Sequence, residues 1–208
     1  IFIEAGVSKN ILNKLLKNNI ENTFNSISVD GDTSTSDTLS LFSLNKFNFN
    51  FSISKNYKVL EKVLFELMKE LSLQIVKDGE GLSKLIKVNI LKSKSINQAK
   101  NIAFAIVNSP LVKTAISGED ANWGRIIAAI GKSQEKINQK KIKIYFGKNL
   151  VCQQGSGYKK INLKKIDNYM KNKIIEITVS LDNGKINHTI YGNDLTYEYI
   201  RINADYRS

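Results

Sequence analysis

Four short stretches of this chain gather residue types that can do chemistry. In Lys77-Asp78-Gly79-Glu80-Gly81 a carboxylate stands between two glycines. Glycine adopts backbone conformations closed to other residues and lets a ligand come close, so Glu80 is placed to pair with a substrate ammonium. The same residues also make an ordinary solvated turn. Gly118–Arg125, GEDANWGR, collects two acids, an amide, the sole Trp and one of three Args. Its simplest reading is a structural turn in which Arg125 pairs with Glu119 or Asp120 and Trp123 packs. The C-terminal RINADYRS carries two Args and Tyr206. Polar tails usually fray, and this one holds more functional groups than solubility requires.

The fourth stretch, Asp30-Gly31-Asp32-Thr33-Ser34-Thr35-Ser36-Asp37-Thr38, has no large apolar side chain. Asp30, Asp32 and Ser34 match the first three ligand positions of a calcium loop. The position that needs Gly is Thr35, and the one that needs a bidentate Glu is Leu41, so the calcium reading fails at the residues that set the geometry. Two readings stay open. One is a turn and helix cap, with Ser36 or Asp37 at the N-terminus of a helix in TLSLFSL. The other is a loop that helps build a site.

Other chemistry is thin. One cysteine, Cys152, excludes an internal disulfide, and one histidine, His188, excludes the usual Cys/His zinc site. A Cys–His nucleophile pair requires folding to join the two, and no third partner pattern accompanies them.

The elements that must position these residues belong to a chain of 208 residues with ordinary hydrophobic and charged content, enough to bury a core as one domain or two small ones. No apolar run reaches the length of a membrane span. The net charge of +12 fits nucleic acid or an acidic surface. However, Arg occurs only at 125, 201 and 207, and Lys, Asn and Ile are abundant throughout. That is the mark of coding bias more than of a site built from Arg forks.

Apolar spacing predicts a helix over 7–22, a strand over 24–29 and a long helix over 56–76. In the last, Val59, Leu60, Val63, Leu64, Leu67, Met68 and Leu71 form a core stripe. LIKVNIL reads as a strand and 96–108 as a helix capped by Ser95 and ended before Pro110. IIAAIG reads as a helix, KIKIYFG as a strand, 162–172 as a helix and IIEITVSL as a strand. Asn183-Gly184 predicts a type I′ hairpin returning through KINHTIYG. The tail fits helix or strand.

Four segments taken together, SVDGDTSTSDT, VKDGEG, NSPLVKTAISGEDANWGRIIAAIG and DLTYEYIRINADYRS, resemble in order and spacing the β chain of the ornithine acetyltransferase family, also called glutamate N-acetyltransferases. The resemblance covers residues 1–208. It implies an α/β fold with a layered αββα core like that of self-processing aminopeptidases, shared with an α chain outside this sequence. Residues 1–93 are expected to supply the β-chain part of that N-terminal-nucleophile core. Residues 94–208 are expected to form a smaller α/β domain whose tail, 195–208, returns to the active site.

The activity implied is transfer of acetyl from N-acetylornithine to glutamate in arginine biosynthesis, through an acetyl-threonine. No cofactor is expected, although acetyl-CoA is a second donor in bifunctional members. The resemblance further implies a cytoplasmic α2β2 heterotetramer that binds neither nucleic acid nor membrane. Ile1 aligns with the isoleucine of the family's Thr-Met-Leu opening, which places the nucleophilic threonine five residues upstream of Ile1 and no catalytic residue within this chain. Matched by motif, Glu80, Asn203 and Ser208 resemble the family's substrate contacts. Ser36 stands where Asn is common in the family, and Asn193 where Cys is often seen. The alternatives are an N-terminal-nucleophile aminopeptidase or amidase, which would release product to water, and a basic nucleic-acid-binding module.

Overall fold

The computed structural model describes residues 1–48, 50–51 and 54–206. They form two compact units of mixed α/β structure, as expected.

The first unit comprises Ile1–Ile27 and Asp32–Gln74. Its strands β1 (Phe2–Ala5) and β2 (Phe42–Phe47) pair in parallel. The rings of Phe2 and Phe42 stack across that pair at 5.1 Å. Helices α1 (Lys9–Ile20) and α2 (Ser54–Lys77) bring Leu15, Leu64 and Met68 into a small core with Val7. Two of the seven residues of the predicted α2 stripe are buried. Leu64 and Met68 are sealed, while Val59, Val63 and Leu67 are 58%, 57% and 41% exposed. Two short strands and one further helix present too little surface to cover an apolar stripe two residues wide.

Two expectations fail in this unit. Residues 24–29 are not a strand: Phe24–Ser26 is a turn of 3₁₀ helix, because Thr23 and Ser26 turn their hydroxyls onto the Asn19 and Glu21 carbonyls at the end of α1. No helix follows Asp37 either. Ser34 Oγ accepts from the backbone N–H groups of Ser36 and Asp37, a hydroxyl-closed turn. The chain then enters β2, since alternation there is too short-ranged for a helical face.

The second unit comprises Ser28–Gly31 and Ile75–Ser208. The sequence expectation puts a boundary at 93/94, whereas this unit already takes in β3 (Leu85–Ser93). That strand lies next to the edge strand β8 in a sheet ordered β6-β5-β4-β7-β3-β8, the others being β4 (Lys143–Phe146), β5 (Asn149–Gln153), β6 (Ser156–Gly157), β7 (Ile174–Ser180) and β8 (Ile186–Asn193). β3 runs parallel to β7 and antiparallel to β8.

The Asn183-Gly184 hairpin is therefore not formed, because β3 lies between the two strands it would join. The connection instead passes over the end of β3: Leu181 and Asn183 donate to the Leu91 and Lys92 carbonyls. A Cβ on Gly184 would collide with the Ser93 backbone, so glycine is needed for close approach rather than for a primed turn.

One face of the sheet carries Ile86, Val88, Ile90, Ile144, Ile175, Ile177, Val179 and Ile190. These pack with Ile102, Ile106, Val112, Ile116, Ile126, Ile130 and Ile166. The latter come from α3 (Ile96–Val107), α4 (Pro110–Ser117), α5 (Trp123–Lys132) and α6 (Leu163–Met170). Ser95 caps α3 as predicted. Pro110 both stops α3 and opens α4, with Ser109 as cap; proline at the first helical position loses no internal bond. The opposite sheet face is polar. Asn89 bonds to Glu176, Thr178 and Thr189, and Lys87 pairs with Glu176 at 3.3 Å. The tail resolves to a helix, α7 (Tyr197–Asp205), capped by Thr196.

Candidate functional site

The Glu80 turn joins α2 to β3, and α7 closes over it. Gly81 has φ +60, and a Cβ there would collide with the backbone of Glu198 and Tyr199. Glycine is thus required twice, for the left-handed backbone and for contact with α7. The Thr196 hydroxyl donates to the Gly81 carbonyl while accepting from the Glu198 and Tyr199 N–H groups at 3.1 and 3.3 Å. One side chain therefore caps α7 and ties it to the turn.

Just beyond β8, the buried Asp194 secures the other end of the turn. Its Oδ1 accepts from the Ser83 and Lys84 N–H groups at 2.8 and 3.0 Å, and its Oδ2 accepts from the Ser83 hydroxyl. The Asp194 N–H donates to the Lys84 carbonyl at 3.1 Å. A buried carboxylate is retained when its lone pairs are filled in this way. Lys84, also buried, donates to the Met170 and Asn172 carbonyls and pairs with Glu119 at 3.1 Å.

This framework brings two of the three predicted substrate contacts together. Asn203 Nδ2 donates to Glu80 Oε2 at 2.7 Å, and also to the Tyr199 carbonyl one turn earlier at 3.0 Å. Both residues are exposed. The pair offers a carboxylate with acceptor capacity for a cation and an amide that both donates and accepts. Ser208, the third, lies outside the described residues. A second acid adjoins the same helix: the Tyr199 hydroxyl lies 3.4 Å from Asp30 Oδ2.

The other candidates separate. Arg125 pairs with neither Glu119 nor Asp120. Its guanidinium donates to the Leu111 carbonyl at 2.8 Å and the Thr114 hydroxyl at 3.2 Å, tying α5 to α4. Glu119 is taken by Lys84, and Asp120 accepts from Asn122 at 3.0 Å. Trp123 packs on the core as expected. Cys152 on β5 and His188 on β8 have three strands between them, which at about 4.8 Å per strand separates them by roughly 19 Å. Burial pushes the Cys152 thiol above its ordinary pKa, which disfavours a thiolate nucleophile. Among the described residues no group of three or more His, Cys, Asp or Glu could hold a metal, and no helix is long and apolar enough to cross a membrane.

Sequence reasoning did not single out Lys113 on α4. It is 4% exposed, and its ammonium donates to the Val29 carbonyl and, at 3.0 Å, to Asn193 Oδ1. Burial lowers its pKa to about 8, against the opposing pull of Asp30 and Asp194. The available signal was a lysine on the buried face of a short helix, between Val112 and Ala115-Ile116. Asp194 and Thr196 were equally legible, as an acid and a cap immediately after a strand.

The ArgJ family profile matches residues 1–208. The chain is 44% identical over 208 residues to the arginine biosynthesis bifunctional protein ArgJ of Bartonella henselae, covering 99% of this chain and 51% of that protein. It is 40% identical to the ArgJ protein of Brucella melitensis, covering 100% of this chain and 52% of that one. The chain thus spans about half the length of these curated relatives. A crystal structure of the arginine biosynthesis bifunctional protein ArgJ from Bacillus halodurans superposes with a TM-score of 0.91 at 35% identity, covering 99% of this chain and 98% of that chain. On this profile match, with an arrangement of strands and helices shared almost end to end, the chain belongs to the ArgJ family.

Proposed function

We propose that this chain forms the β-chain part of a glutamate N-acetyltransferase, which moves acetyl from N-acetylornithine to glutamate. The observation that carries the reading is the Glu80–Asn203 pair, held by Asp194 and Thr196, in a chain of the ArgJ family. Glu80 suits the ornithine ω-ammonium, and Asn203 and Ser208 suit amide or carboxylate groups of the substrates.

The chemistry balances without a cofactor. A threonine hydroxyl outside residues 1–208 attacks the acetyl carbonyl, with the adjacent amine taking its proton. The C–N bond breaks, that proton goes to the leaving amine, and ornithine departs. The amine of glutamate then attacks the acetyl ester and restores the hydroxyl. Donors that hold the tetrahedral oxyanion are expected on the α chain. The partner proposed is that α chain, in an α2β2 assembly. Val59 and Val63, one turn apart on α2 and both exposed, are apolar side chains of the kind a permanent partner covers.

The test is steady-state kinetics on the mature protein with both substrates varied. Parallel double-reciprocal lines and glutamate-dependent release of ornithine support the reading. Release of acetate at the same rate without glutamate would favour an amidase on the same scaffold. Replacing N-acetylornithine by acetyl-CoA decides whether a second donor is used.

A further inference from the structure

Lys113 is a buried cation that no step of the proposed transfer uses, yet both of its acceptors bear on the turn that displays Glu80. Val29 accepts through its carbonyl and Asn193 through Oδ1. The same two residues line the space beside Gly79, immediately before Glu80. A Cβ on Gly79 would collide with Asn193 Nδ2 and lie 3.2 Å from Val29 Cγ1. Asn193 is oriented by this contact, since its Oδ1 accepts from the ammonium while its Nδ2 faces the glycine. The α4 backbone adds a further tie where Leu195 N–H reaches the Lys113 carbonyl at 3.4 Å, and Ser28 N–H reaches the Tyr191 carbonyl at 2.8 Å on the other side of Val29.

We propose that Lys113 is a positioning residue for substrate binding: its ammonium clamps Val29 to Asn193, and the clamped pair forms the wall that fixes the Gly79-Glu80 turn. This rests on the acetyltransferase reading, in which Glu80 receives the ω-ammonium of N-acetylornithine. A carboxylate held in one place binds ground state and transition state alike, so its loosening raises KM and spares kcat. The charged groups facing the ammonium are Asp30 from the 28–31 loop and Asp194 beyond β8, and both favour the charged form. Loss of the proton removes charge assistance from both hydrogen bonds, so the clamp weakens as pH rises past 8.

The experiment compares Lys113→Met with the wild type, each expressed from the full coding sequence. KM and kcat for N-acetylornithine are measured from pH 7 to 9, where the substrate's own ω-ammonium stays charged. At pH 7 the variant should show KM raised about tenfold, the scale of a displaced binding contact, with kcat within about twofold. The wild-type KM should rise severalfold from pH 7 to 9, and that of the variant should be flat. An unchanged KM in the variant, a loss confined to kcat, or a wild-type KM that is flat with pH would each overturn the inference. If Lys113→Met does not fold, the wild-type profile alone decides. A wild type that transfers no acetyl sinks the acetyltransferase reading itself, an outcome distinct from all of these.

Discussion

Asp194→Ala probes the framework at its most buried point. The carboxylate takes two backbone N–H groups, from Ser83 and Lys84, and the Ser83 hydroxyl, while only 3% of the residue is exposed. Hydrogen bonds to a charged acceptor contribute about 1.5 kcal/mol or more each. Removing the acceptor of two backbone donors, one buried and one half-buried, should therefore lower the local opening free energy by about 3 kcal/mol. At 1.4 kcal/mol per factor of ten, amide exchange at Ser83 and Lys84 should accelerate about a hundredfold. Hydrogen exchange read by mass spectrometry on peptides covering 79–86 measures it directly.

Asp194→Asn gives the control. Its remaining carbonyl oxygen can keep both backbone bonds, and the Ser83 hydroxyl can rotate to accept from the amide, so acceleration should stay under about tenfold. Equal exchange in the two variants, or acceleration below about tenfold in Asp194→Ala, would refute the claim that this carboxylate holds the turn.

Two further outcomes follow from the packing and the charges. Gly184→Ala should destabilise the second unit by about 1–3 kcal/mol, because its new methyl meets the Ser93 backbone and not a movable side chain; an unchanged urea midpoint would refute the close approach of Gly184 to the end of β3. Lys113, with its folded-state pKa lowered to about 8, loses its proton before the unfolded chain does. Unfolding then takes up a proton between about pH 8 and 10, and this group's contribution to stability rises across that window and is flat below it. Tyr57 and Tyr169, both raised by burial, act the other way, since the unfolded chain ionises them first near pH 10. The wild type minus Lys113→Met difference isolates the lysine. It should shift in favour of the wild type by on the order of 2–3 kcal/mol from pH 7.5 to 10 in urea titrations, and no shift would place the ammonium in solvent.

Local pattern carried the sequence reading where local forces decide. The Ser95 cap, the β3 alternation and the α5 helix are set by neighbours a few residues away. The reading failed where distant strands intervene. Asn183-Gly184 has the residue types of a tight hairpin, but insertion of β3 between β7 and β8 turns the glycine to a different use. The α2 stripe is correct in period and overestimated in burial, because period reports an apolar face and not what covers it. Likewise Glu80 was visible through its flanking glycines and Asn203 through family motif, whereas the groups that hold them come from four separate segments: 28–31, α4, the end of β8 and the cap of α7. Only the tertiary structure joins those.

The central claim is that this chain serves an acetyl transfer that passes through a covalent intermediate on the mature protein. Intact-mass measurement after mixing with N-acetylornithine alone tests it most directly. The account predicts one acetyl adduct on the chain that contains these residues, discharged when glutamate is added with formation of N-acetylglutamate. No adduct, or an adduct that glutamate does not discharge, would contradict it.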